Sequence, residues 1–252
     1  MKEDNDMFKK FRDSFSEMDG HFHILEQRVP VERQMEYFKY SEKMRKDPDK
    51  LPASQLDYSV LQKRLDDPEV TAEDKKHVLS VLATSRQIKA YRILQEYAET
   101  PDPEVADWAY MALMESRIAL ESELSEEKQI YISTGLGGKG EKLRFYVLVL
   151  SNELKPFQDY QKKVIEREFP YLLEKENCEI ERLTIGEDHM ELVFLIPVRA
   201  NIKQTLDKVI SECNEYGNFL SSSFTITNVK ELSAEEVEKI IRKNGGNSQS
   251  GH

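Results

Sequence analysis

A chain of 252 residues with 33% charged and 39% hydrophobic side chains has the balance of a folded protein long enough for two domains, which excludes global disorder. Its net charge of -11 opposes a broad surface for nucleic acid or anionic membrane, because phosphate backbones are held mainly by clustered positive charge. No run approaches about 20 apolar residues, so no membrane span is expected, and the acidic start from Met1 to Asp6 reads as no secretory leader, which makes the cytoplasm the expected location.

Phe8, Phe11, Phe15, Met18, Phe22 and Leu25 recur at spacings of three and four, which predicts an aromatic stripe along a long first helix. His21 and His23 then point to different faces and form no metal pair. Pro30 permits a break, and a second helix is expected from about Val31 to Lys46 with Met35 and Phe38 turned inward. After the Pro-containing connection at 47–52, a third helix is expected to begin near Ser54, carry Leu56, Val60, Leu61 and Leu65 inward, and stop at Asp66-Asp67-Pro68.

Thr71 followed by Asp74 approximates a capping box for a helix with Val78, Leu79 and Leu82 on its inner face. Helical spacing continues through Ile88, Ile93, Leu94 and Tyr97, and Asp102 with Pro103 reads as the N-cap and first residue of another helix. Asp67-Pro68-Glu69-Val70 recurs 35 residues later as Asp102-Pro103-Glu104-Val105. On that echo, residues 50–124 resemble HEAT or tetratricopeptide alpha-solenoid repeats, a resemblance that implies a scaffold or protein-docking surface. The plainer alternative is a helical bundle. Trp108, Tyr110, Met111 and Met114 form either an anchoring patch for a partner or filling at the junction of the two halves.

Gln129 to Ser133 alternates briefly as a short strand and leads into a glycine-rich loop. Ser133, Thr134, Gly135, Gly137, Gly138 and Lys139 could surround an anion. A phosphate loop, however, hands over to a helix, whereas Gly140 and a strand follow here, so a hairpin or hinge is the leading reading.

Leu143 to Leu150 is apolar on both faces and predicts a central strand. A helix from about Pro156 to Glu176, interrupted at Pro170, a hairpin about Gly186-Glu187-Asp188, a helix from Asn201 to Tyr216 and a half-polar edge strand from Phe219 to Val229 complete a β-α-β-β-α-β order. This resembles the ferredoxin-like pattern, with the strand order 4-1-3-2 that the resemblance implies. Ser233 and Glu236 predict a capped final helix. The expected fold class is therefore α+β: an all-helical bundle or short solenoid over residues 1–128, a strand and hinge over 129–141, a ferredoxin-like α/β domain over 142–243 and a flexible tail over 244–252.

Cys178 and Cys213 lack CxxC or CxxH neighbours, so buried reduced thiols are expected and no metal or cofactor is. No nucleophile and base stand in a recognisable order, and His189 beside Asp188 reads as a solvent-facing turn residue. The expectation is a non-enzymatic interaction or adaptor protein with a protein partner, the helical half docking and the α/β half free to self-associate. The alternative is a regulatory sensor of a small ligand or anion at the glycine-rich loop.

Overall fold

The computed structural model describes residues 21–48, 51–125 and 129–247. It is an α+β structure of two compact units, one spanning Gly20–Ser133 and the other containing the chain from Thr134 onward.

The first unit opens with strand β1 (His21–Ile24) where a helix is expected from the aromatic spacing. Residues 21–24 instead pair in parallel with β2 (Gln129–Ile132), from His21 opposite Gln129 to Ile24 opposite Ile132. A partner so distant in sequence leaves no local signature, and Phe22 and Leu25 continue the helical spacing only by coincidence. Phe8, Phe11, Phe15 and Met18 lie outside the described residues.

Helix α1 (Val31–Arg45) forms as expected, but its buried residues are Gln34, Tyr37 and Ser41. Met35 and Phe38, expected inward, are 54% and 47% exposed. The inner stripe has the predicted spacing but starts one position away, because two polar side chains find partners inside. Residues Ala53–Gln55 make a short 3-10 turn, so α2 (Tyr58–Asp66) begins later than Ser54, capped by Asp57, whose carboxylate accepts from the amides of Ser59 and Val60. Leu65 is buried on α2, whereas Val60 faces solvent.

In α3 (Ala72–Thr84), the Thr71 hydroxyl accepts from the Asp74 amide, and Val78, Leu79 and Leu82 are fully buried. Helix α4 (Ile88–Glu99) is separate, set off by Arg86 at φ 54°. Asp102 does not cap the next helix directly: residues 103–105 form a turn and α5 (Ala106–Leu124) starts after Val105. The two Asp-Pro-Glu-Val copies make the same turn. Asp67 Oδ1 accepts from the Glu69 amide at 2.9 Å and its carbonyl from Val70, as Asp102 does from Glu104 at 3.1 Å and from Val105. Each copy joins a helix pair, α2 to α3 and α4 to α5. The buried faces of α1 and α3–α5 meet in one core containing Tyr37, Leu79, Leu82, Leu94 and Trp108.

The second unit carries an antiparallel sheet. Its strands are β3 (Gly138–Lys139), β4 (Lys142–Ser151), β5 (Glu179–Ile185), β6 (His189–Pro197) and β7 (Leu220–Thr227). They lie in the order β3-β4-β6-β5, and β7 also pairs with β4. The doubly apolar β4 and β6 are central, with Phe145 opposite Phe194 and Val147 opposite Leu192. Pro197 ends β6, where its missing amide costs no ladder bond.

Helix α6 (Asp159–Lys175) runs unbroken through Pro170, and α7 (Ile202–Asn214) is capped by Asn201. The chain leaves α7 through Gly217 at φ 133°. Helix α8 (Ala234–Asn247) extends into the expected tail, with the Ser233–Glu236 box formed in both directions. Its Val237, Ile240 and Ile241 pack on Tyr146, Leu148, Leu150 and Val193, so this apolar sheet face is covered from within the unit.

Candidate functional site

In the helical unit, the unexpected polar stripe of α1 organises the neighbourhood. Gln34 donates from Nε2 to the Val29 carbonyl at 2.7 Å and accepts from the Ser133 hydroxyl. One turn on, the Tyr37 hydroxyl donates to Glu115 Oε2 at 2.6 Å, and Ser41 lies within 2.7 Å of both oxygens of the same carboxylate. Arg45 stands 3.6 Å away. Burial, then the adjoining Glu115 charge, holds the Tyr37 hydroxyl well above its ordinary pKa. Glu115 is thus met by three side chains of α1, Tyr37, Ser41 and Arg45, spaced four residues apart on one helix face.

Beside this network an apolar cleft of about 150 Å³ opens between α1, α5 and β2. Its walls include Leu25, Phe38, Met111, Met114, Ile118 and Ile132, with Arg45 and Glu115 supplying polar atoms. Beyond it, the Tyr131 ring stacks on His23 with centroids 4.8 Å apart, and Glu121 meets His23 at 3.2 Å and Arg117 at 2.8 Å.

The four residues read as an anchoring patch are split by this geometry. Trp108 is 4% exposed and packed in the helical core, donating from Nε1 to Ser80 Oγ at 2.9 Å, with Tyr37 and Tyr40 edge-on to its ring. Tyr110 is half-buried, while Met111 and Met114 line the cleft. Phe38, expected in the core, completes that surface together with Ile118 and Tyr131, which the sequence does not single out. The sequence carried no signal for Phe38, because its spacing with Met35 marks the inner side of the helix and only the burial of Gln34, Tyr37 and Ser41 turns it outward.

In the α/β unit the glycine-rich loop is a hairpin arm. The Leu136 amide donates to the Asn228 carbonyl, the Gly137 amide to the Thr134 carbonyl, and Thr134 is buried. Gly137 and Gly140 adopt φ 68° and 57°. Gly135 passes so close to the next segment that a Cβ would lie 1.8 Å from the Val229 carbonyl oxygen. Lys139 pairs with Glu179 at 2.9 Å, and Gly138 is in the ladder opposite Leu143. Of the six residues, Ser133 falls in the helical unit and the other five in the α/β unit. A larger polar cleft, about 440 Å³, lies elsewhere in this unit, among Asn152, Lys155, Gln158, Gln161 and Asn218.

His189 is not a free turn residue: its ring folds over Gly186 and Nδ1 lies 2.9 Å from Asp188. Glu191, 4.0 Å from the ring, accepts from the Tyr146 hydroxyl at 2.8 Å. Burial of both thiols raises Cys178 to about 11 and Cys213 to about 12. Among the described residues, no three His, Cys, Asp or Glu side chains converge as metal ligands, and no helix is long and apolar enough to cross a membrane.

No family model and no curated protein matches the sequence. Among solved structures, part of the chain is similar to a candidate transposase from Deinococcus radiodurans R1, at 12% identity and TM-score 0.35 over 41% of this chain and 91% of that one. It is also similar to a REP-associated tyrosine transposase bound to a REP hairpin, at 13% identity and TM-score 0.32 over 48% of this chain and 67% of that one.

Proposed function

We propose that this chain is a non-enzymatic protein-interaction module of the cytoplasm that grips an apolar side chain of a protein partner in the cleft of its helical unit. The carrying observation is the cleft itself, walled by Met111, Met114 and Ile118 beside the 47% exposed Phe38. Its volume of about 150 Å³ is below the roughly 300 Å³ at which small-molecule and cofactor pockets begin, which favours a single side chain over a metabolite. Methionine adds an adaptable surface to such a wall. The identical Asp-Pro-Glu-Val turns joining α2 to α3 and α4 to α5 support a HEAT-like reading of the helix pairs, and such stacks commonly present docking surfaces. The observed strand order supports a ferredoxin-like reading of the second unit.

A second reading, a regulatory small-ligand sensor, is favoured by the polar cleft near Asn152 and Asn218 and not by the glycine-rich loop, whose Leu136 and Gly137 amides already have acceptors. Affinity capture from source-cell extract separates the two. A partner held by the wild-type chain and by Asn152→Ala, but lost from Phe38→Asp and Met114→Asp, is the expected outcome. Equal capture by all four proteins would overturn the cleft assignment.

A further inference from the structure

We propose that the partner segment binds in extended form, as a third strand beside β2, with one large apolar side chain in the cleft and basic residues flanking it. This rests on the cleft-binding reading and specifies the partner's conformation and charge.

Three features converge on that mode. First, β1 and β2 make a two-stranded parallel sheet, and among the described residues no third strand joins it. Two-stranded pairs are marginal in water, and an open strand edge is a template for another chain. Second, the open edge of β2 lies at the cleft. The Ile132 carbonyl accepts from the Leu25 amide at 3.0 Å, so it faces β1. Amide and carbonyl of one strand residue point to the same side and alternate along the strand. The main-chain groups of Tyr131 therefore face away from β1, and Tyr131, Ile132 and Ser133 all border the cleft. A segment laid along this edge would gain ladder bonds from its backbone and place alternate side chains toward the apolar walls, as in strand-addition recognition.

Third, charge selects the flanks. The chain carries -11, and α5 ends near β2 with no basic residue within its own last turn, so the negative end of the helix there has no cation from that turn. Glu121 is met by Arg117 and Glu123 by Arg86, the latter at 3.6 Å. Lysine or arginine in the partner suits this border better than aspartate or glutamate.

The probe is a random short-peptide display library selected on the full chain. Peptides recovered are expected to carry one large apolar residue with lysine or arginine nearby, to bind more weakly at higher salt, and to lose affinity on Met114→Glu. A scan of single backbone N-methyl groups along the best peptide should then lower affinity about tenfold at alternate positions and leave the intervening ones unchanged. Phe38→Glu, at an exposed side chain, repeats the cleft test should Met114→Glu unfold. Peptides sensitive to the cleft variants but indifferent to N-methylation, or helical when bound, would overturn strand addition while the cleft reading stands. Peptides indifferent to both variants, or none recovered, would overturn both.

Discussion

At the scale of single residues, Gly135 and the two cysteines show how packing constrains chemistry. A Cβ on Gly135 would sit 1.8 Å from the Val229 carbonyl oxygen, and backbone cannot yield as a flexible side chain can. Gly135→Ala is expected to cost about 2–4 kcal/mol, read as a lower denaturant midpoint. The cysteines predict alkaline behaviour. Desolvation favours the neutral thiol in the folded state, raising Cys178 from 9.0 to about 11 and Cys213 from 9.0 to about 12. Their contribution is intact below pH 9.0 and is lost as pH rises through about 11 and 12, because only the unfolded chain ionises first. Native protein at pH 8 should thus resist a thiol reagent until denaturant is added, and fast labelling of both thiols without denaturant would contradict their burial.

At the scale of elements, the repeated turns have unequal neighbours. Asp67 and Asp102 each accept the amide two residues on, but Asp102 also accepts from Lys75 Nζ at 3.0 Å, and Lys75 is 4% exposed. That lysine holds the Asp102 carboxyl below its ordinary pKa. Removing one partner of a buried charge leaves the other unpaired, so Asp102→Ala should lower Tm more than Asp67→Ala. Equal losses would show that the turn bond alone matters.

The elements also show what was readable beforehand. The β4, β6 and β7 patterns, the Thr71 and Ser233 caps and the hairpin at Gly186 are local signals, and they mark elements that form. Helix α1 was readable as a helix, but its inward side was not. Gln34, Tyr37 and Ser41 look solvent-facing until Glu115 and Ser133 arrive from other elements to satisfy them. Likewise, β1 reads as helix because its pairing partner lies far along the chain.

At the scale of the whole molecule, every residue lining the apolar cleft belongs to the unit Gly20–Ser133. A fragment of residues 20–133 should therefore retain binding of any peptide that occupies the cleft, measured by titration against the full chain. A folded fragment that binds nothing would place the determinants elsewhere. The candidate site was only partly legible for the same reason. Met111 and Met114 were identifiable as apolar residues suited to an interface, yet Trp108 beside them is in the core and Phe38, assigned to the core, is on the surface.

The sequence by itself determined the α+β class and the order of most elements, because helix and strand periodicities, prolines and capping residues act over a few neighbouring positions. Only the tertiary structure decided the sheet face taken by α8, the β1–β2 pairing and the buried polar face of α1, and hence, through the last two, the cleft. Each depends on groups distant in sequence whose hydrogen bonds and apolar surfaces are satisfied only when they meet in space.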